Sequence, residues 1–288
     1  MRPRDVDVFV VGYPGHFDLP AARRAARGRP VVFNPLVSLA DTLVADRGRF
    51  KQGTLPARAL ERIDRYAFRD ADLLVADTEA HARFFAQLSG RDDVEVCLVG
   101  AEERVFQPRW RAPERFGVLF VGKLIPLQGI ETILAAARLL PDVPVRIVGR
   151  GQLEPLLAQR PANVEHVSWI EYELLSDAIG AAGCVLGIFA ATPKAQRVIP
   201  NKVFQALATA APVVTADTPA ARELLADGES ALLVPPGSAE ALAAAIRRLA
   251  ADGELARRIA RGGRDAYERH ASEDVLGRRW RTLLEGLL

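Results

Sequence analysis

Short apolar runs alternate with longer stretches in which apolar positions recur every three or four residues, almost from end to end of the chain. Parallel strands buried between covering helices leave that pattern, because such a strand is apolar on both faces whereas each helix hides only one stripe. The expected class is α/β with two parallel-sheet domains. In the first part, strands are predicted over residues 6–11, 30–34, 73–76 and 94–99, and helices near 19–27, 56–68 and 79–88. A polar connector holding Pro108 and Pro113 follows. Beyond it, strands are predicted near 116–121, 145–148, 164–167, 185–189, 212–215 and 231–234, with helices near 130–140, 153–159, 174–182, 203–210, 220–225 and 239–251. From Gly253 onward the pattern is helical only, with Ser272 as the expected cap of a last helix. The predicted domains are residues 1–110, residues 111–270, and a terminal helix over 271–288 that packs back on the first domain.

Composition adds limits rather than detail. The 288 residues are 49% apolar and 26% charged, an ordinary globular balance long enough for two domains. The formal charge of +2 is spread evenly over the two parts, so neither carries a field suited to wrapping nucleic acid. Cys97 and Cys184 both sit inside predicted strands and read as packing thiols in a reducing compartment, with no metal site or nucleophile implied. The most apolar stretch, near 184–191, is far shorter than the roughly 20 residues of a bilayer span, and the Arg/Asp-rich start has no signal-peptide core. A cytoplasmic location is expected, with peripheral contact at the inner face of a membrane left open.

The cations draw attention to particular turns. Thirty-eight positive side chains include only four lysines, and Lys123, Lys194 and Lys202 lie beside glycine- or proline-marked turns in the second part. Lys123 follows an apolar run and Gly122, and Lys202 belongs to Ile199-Pro200-Asn201-Lys202 ahead of a helical stretch. Turns at strand ends and helix starts offer free N–H groups and a positive dipole end to phosphate, and a lysine adds a compact charge. The pair predicts a diphosphate cradle; the competing reading is two ordinary exposed lysines. Open α/β sheets bind ligands at the carboxyl ends of their strands, which also singles out Gly149-Arg150-Gly151, residues 190–201 and Asp217-Thr218-Pro219.

The order and spacing of these pieces carry a resemblance. The segments FVGKLIPLQGIETILAAARLL, VRIVGRGQLEPLL, NVEHVSWI and IPNKVFQALATAAPVVTADTPAARELLADGESALLVPPGS resemble the nucleotide-sugar-binding domain of family-four glycosyltransferases, the large retaining group of the GT-B fold. VEVCLVGAEERVFQP is similar to that family's hinge. The resemblance implies two Rossmann-like domains. The N-terminal one is expected to be incomplete, since residue 6 already lies in a strand whose turn reads Gly12-Tyr13-Pro14-Gly15-His16. Either a longer reading frame or a partner covering that sheet is then expected.

By position, the resemblance gives Lys123 a diphosphate contact, sets Lys202 ahead of the helix facing it, places Trp169 and Ile170 beside the base, and matches Glu223 to the acid of a Pro-x-x-x-Glu element. Gly122, Gly149, Arg150, Gly151 and Asn201 complete the expected donor-binding set. Gln205 falls where the family has a glutamate that accepts from the ribose, and Arg197 aligns with the other member of the family's glutamate pair, so both carboxylates are absent. Gln128 replaces a second basic residue, a charge that Lys194 or Arg197 is expected to offset. His16 is the acceptor-side catalytic candidate, against a loop histidine with no role; Asp41 borders the acceptor or caps a helix, and His81, His166 and His270 read as structural. The function implied is retaining transfer of a sugar from a nucleoside diphosphate to an acceptor hydroxyl of a glycan or glycolipid of the cell envelope, with no cofactor or metal expected. The alternative is a non-catalytic nucleotide-sugar-binding or scaffold protein derived from such an enzyme. Glycoside hydrolysis needs two facing carboxyl groups, and no such pair stands out.

Overall fold

Four short apolar runs, β1 (Phe9–Val11), β2 (Val31–Phe33), β3 (Leu73–Ala76) and β4 (Val94–Val96), pair in parallel in that order in the computed structural model, which describes residues 6–288. Side chains alternate across a strand, so Val31, Phe33, Leu74 and Ala76 serve one face while Val32, Leu73 and Val75 serve the other. Helices α1 (Leu19–Ala26), α2 (Leu55–Asp70) and α3 (Glu79–Ser89) close the first face with Leu19, Phe68 and Phe85. The first strand is shorter than predicted. Its ladder starts at Phe9 opposite Val31, with the Phe9 N–H on the Pro30 carbonyl at 2.9 Å, and Pro30 has no N–H to extend the pairing.

The second sheet has six parallel strands: β5 (Val118–Val121), β6 (Val145–Val148), β7 (Val164–Val167), β8 (Cys184–Leu186), β9 (Val213–Ala216) and β10 (Leu232–Val234). Their order, β10-β9-β8-β5-β6-β7, reverses direction at β5, so the chain leaves a crevice at the carboxyl ends beside that strand. Helices α4 (Ile130–Arg138), α5 (Tyr172–Gly180), α6 (Asn201–Ala208), α7 (Pro219–Arg222), α8 (Ala239–Ala251) and α9 (Gly253–His270) accompany it. The core runs from Phe120, Ile147 and Leu186 of the strands to Ile133 of α4, Leu242 and Ile246 of α8, and Ile259 of α9. The segment expected as a helix near 153–159 is a 3₁₀ helix, Glu154–Gln159, with Pro155 in its first turn and no α-type ladder.

By packing, the chain forms two units. One runs to Leu98 and resumes over Leu276–Leu288; the other is Val99–Val275. The Pro108 to Pro113 connector lies inside the second unit, because Phe106 packs edge-on against Tyr172 and the Trp110 indole N–H donates to the Ala182 carbonyl at 2.7 Å. The last helix, α10 (Glu273–Glu285), brings Leu283, with Leu276, Trp280 and Leu284, onto the open face of the first sheet over Val32, Leu73 and Val75. Its Arg279 donates to the Val96 carbonyl at 3.0 Å and pairs with Glu95.

Both cysteines are buried, and burial pushes the thiol pKa up to about 11 for Cys97 and about 12 for Cys184. Neither is a nucleophile at neutral pH. Among the described residues no helix is long and apolar enough to cross a membrane, and no group of three or more His, Cys, Asp and Glu side chains is arranged to hold a metal ion.

Candidate functional site

Because β5, β6 and β7 are neighbours, the turns that leave them lie side by side. The Gly122 N–H still bonds the Val148 carbonyl at 2.9 Å and the Gly149 N–H the Val167 carbonyl at 2.9 Å, so the ladder continues one residue into each turn. Gly149 has φ 140, and a Cβ there would lie 1.9 Å from the Gly122 oxygen. Only glycine allows the two turns to approach so closely. The His166 imidazole bonds the Gly149 carbonyl at 2.8 Å and steadies the same turn, a structural part as expected.

Between these turns and the start of α5 lies a cleft of about 580 Å³, walled by Val121, Gly122, Val148, Gly149, Ile170 and Leu175, with Lys123, Arg150, Ser168, Trp169 and Tyr172 as its polar and aromatic side chains. Lys123 and Arg150 are exposed at the cleft, and Arg150 donates to the Ser168 hydroxyl at 3.1 Å. Trp169 stands out as a large apolar surface, 67% exposed. Gly151 has φ 158 and sits tight against Leu124, whose N–H bonds the Arg150 carbonyl at 2.9 Å.

Lys202 reaches this place from the first turn of α6. Its ammonium comes within 2.8 Å of where Gly122 would carry a Cβ, so Lys202 and Lys123 flank one turn. The two are not alike. Lys123 is exposed, whereas Lys202 is buried, lies 3.9 Å from the centroid of the Phe120 ring and donates to the Gln128 side-chain carbonyl. Burial pushes the Lys202 ammonium well below its ordinary pKa. Gln128, expected only as a missing cation, supplies that partner. Asn201 opens α6 with Pro200 as the cap residue. Lys194 is buried and Arg197 half-buried around a short 3₁₀ turn, Ala195–Arg197. Glu223 is half-buried at the end of α7. Gln205 is half-buried on α6 near Tyr172, whose phenol pKa is raised by burial first and then by the Glu102 carboxylate beside it. Glu102 was not among the expected site residues; its signal was an acid in the hinge ahead of Phe106 and Pro108.

The structure corrects the reading of His16. Its side chain is buried, edge-on to Phe33 with centroids 5.1 Å apart and 5.7 Å from Phe68. Nδ1 bonds the Pro14 carbonyl, and Nε2 lies 3.1 Å from Asp64 Oδ1, within ion-pair range but off the line of a hydrogen bond. An imidazole so enclosed faces neither a sugar nor an acceptor. Its neighbour Asp64, fully buried, accepts from the Ser38 hydroxyl at 2.7 Å and the Leu39 and Ala40 N–H groups at 2.8 and 2.9 Å. Asp41 is buried next to this group, its N–H on the Ser38 hydroxyl at 3.0 Å. His81 of α3 bonds Asp77, the residue ahead of the Thr78 cap, at 2.7 Å, a structural part.

Residues 115–252 match the family Glycosyl transferases group 1. Over those residues the chain belongs to that family. The glycosyl transferases group 1 segment holds every turn of the cleft and both lysines beside it. The chain is 30% identical over 205 residues to a phosphatidyl-myo-inositol mannosyltransferase of Mycobacterium leprae, covering 68% of this chain and 54% of that protein. It is 30% identical over 278 residues to a D-inositol 3-phosphate glycosyltransferase of Mycobacteroides abscessus, covering 88% and 59%. The chain thus spans little more than half the length of these curated relatives. Among solved structures, sucrose-phosphate synthase from Thermosynechococcus elongatus superposes with a TM-score of 0.79 at 19% identity over 97% of this chain and 74% of that one. Anabaena HepE in complex with UDP-glucose gives 0.74 at 20% identity over 95% and 78%. The fold is therefore that of GT-B glycosyltransferases, an α/β arrangement of two parallel sheets.

Proposed function

We propose that the protein is a retaining glycosyltransferase that takes a sugar from a nucleoside diphosphate and passes it to an acceptor hydroxyl in envelope glycan or glycolipid synthesis. The observation that carries this reading is the cleft at the ends of β5 to β7, where the exposed Lys123, Arg150 and the first turn of α6 converge on one turn. Breaking a sugar–phosphate bond leaves negative charge on the departing diphosphate, and fixed cations with helix-start N–H groups lower the cost of that charge. Trp169 offers a flat exposed face on which a base can stack. The activities for which the mycobacterial relatives are named and the UDP-glucose held by the Anabaena neighbour agree with the reading.

One observation favours a second reading, a nucleotide-sugar-binding scaffold: among the described residues none that lines the cleft is acidic, and Arg197 and Gln205 stand where the resemblance places carboxylates. Purified protein incubated with UDP- and GDP-sugars distinguishes the two. Transfer, or slow donor hydrolysis, supports the enzyme. Tight binding with neither supports the scaffold, and failure to bind any nucleoside diphosphate rejects both.

A further inference from the structure

An exposed helix face in a globular protein ordinarily mixes charges of both signs. The outer face of α2 does not. Leu55, Arg58, Arg62, Arg65, Tyr66 and Arg69 recur every three or four residues, fall within about 120° of arc along about 21 Å of helix, and are all exposed. Ala57, Asp64, Ala67 and Phe68 are buried on the opposite side. No acid interrupts the outer arc: Glu61 is half-buried at its flank, and Asp70, at the end of the helix, lies 3.5 Å from Arg23. The contrast is α9, where the arginines are interspersed with Glu254, Asp265 and Glu268, and Arg257 pairs with Glu254 and Arg264 with Glu268.

The arginines of α2 are set for an anion. The Nε groups of Arg65 and Arg69 donate to the Leu88 and Ser89 carbonyls at the end of α3, which holds both side chains in place and leaves their Nη amines without a partner among the described residues. The Arg58 and Arg62 side chains likewise have no partner there. Arg62, Arg65, Tyr66 and Arg69, with Asp70, wall a cavity of about 350 Å³. Guanidinium forks match phosphate oxygens two at a time. A soluble phosphate needs no apolar company, yet Leu55 is 80% and Tyr66 54% exposed on the same arc. Cations for headgroup phosphates, beside an aliphatic and a phenolic side chain for the zone just beneath them, make a surface suited to lying on a bilayer.

We propose that the outer face of α2 docks on a bilayer of anionic lipids, with the four arginines on headgroup phosphates and Leu55 and Tyr66 reaching the acyl boundary. This surface belongs to the first unit and the cleft to the second, so it stands whether or not the cleft takes a nucleoside diphosphate.

Flotation of the full chain with vesicles of phosphatidylglycerol and phosphatidylethanolamine, and with vesicles of phosphatidylcholine alone, tests it at about 0.1 M salt. The anionic vesicles should bind at least about tenfold more tightly. Each basic residue near such a surface contributes about fivefold, so Arg58→Gln with Arg62→Gln should lower that binding about 30-fold. Arg258→Gln with Arg261→Gln, which removes the same charge from exposed positions of α9, should leave it within about threefold. Leu55→Ser should weaken it at least about fivefold with no change in charge. Equal binding to both kinds of vesicle, or to neither, overturns the proposal. So do equal losses in the two double variants, or unchanged binding in either Arg58→Gln with Arg62→Gln or Leu55→Ser. A duplex RNA that binds more tightly than the vesicles and loses affinity in the same arginine variant overturns it as well, and gives the face to nucleic acid.

Discussion

Gly149→Ala is the sharpest probe of the site. Position 149 has φ 140, and the added carbon would meet the Gly122 carbonyl oxygen at 1.9 Å. That oxygen is backbone, and the Gly122 N–H is fixed to Val148 at 2.9 Å, so it cannot swing aside as a side chain would. Gly228 provides the control in the same unit: φ is 74, and nothing lies within 4 Å of its would-be Cβ. Gly228→Ala should cost only the conformational penalty, about 1–2 kcal/mol. Gly149→Ala should add an overpacking cost of about 1–3 kcal/mol. Thermal melting then places the Gly149 variant roughly 3–10 °C below the Gly228 variant. Because the turn must shift to make room, nucleoside-diphosphate affinity should fall by at least about tenfold, one 1.4 kcal/mol step, while Gly228→Ala stays within twofold of wild type. If the two variants melt together and bind alike, the close approach of the β5 and β6 turns does not hold the site.

Lys123→Ala should weaken nucleoside-diphosphate binding by about 10-fold or more, as loss of a charge-assisted contact does, while Lys51→Ala, at an exposed position of the other unit, should change nothing; equal effects in calorimetry sink the phosphate assignment. Lys202 has its pKa depressed by burial, so between that depressed value and the unfolded lysine's ordinary one the unfolded chain binds more protons than the folded one. Stability should therefore rise with pH through that window, up to about 10.4, and Lys202→Met should flatten the rise; denaturant unfolding at two alkaline pH values with identical slopes in both proteins contradicts it. Asp64→Ala removes a fully buried carboxylate that receives three donors and faces His16. It should destabilise the first unit by about 3–5 kcal/mol, read by urea unfolding, and a loss below 1 kcal/mol would contradict the network's structural role.

Much of the fold was legible because punctuation was strong. The β3, β6 and β7 ranges coincide with the predicted ones, each bounded by Asp, Pro, Asn, Gly or Ser. The strand predicted over 185–189 ends instead at Leu186, because apolar content alone does not separate a ladder from the buried chain that follows: Gly187 sits against the Thr215 side chain, the Ile188 carbonyl keeps one bond from the Ala216 N–H at 3.0 Å, and the Phe189 N–H turns away to the Gln128 carbonyl at 3.1 Å. The turns of the cleft were readable from glycine and lysine placement. What was not readable was orientation. Nothing near His16 in the chain announces that Phe33 and Phe68 will enclose it, and nothing near Lys202 announces Phe120 and Gln128. Lysine is a surface residue by default, and only the meeting of three turns makes this one an interior group. Asp64 was accessible to a closer reading, since it shares the buried face of α2 with Ala57, Ala67 and Phe68.

The return of α10 to the first sheet fixes an order of assembly. During synthesis the strands of that sheet emerge early, yet among the described residues most of the side chains that cover Val32, Leu73 and Val75 lie in 276–288 and leave the ribosome only after the whole second unit. The unit made first is thus the one finished last. A nascent chain paused anywhere between the two units carries an uncovered greasy plane, a natural point for chaperone capture or for clumping with its neighbours on a polysome.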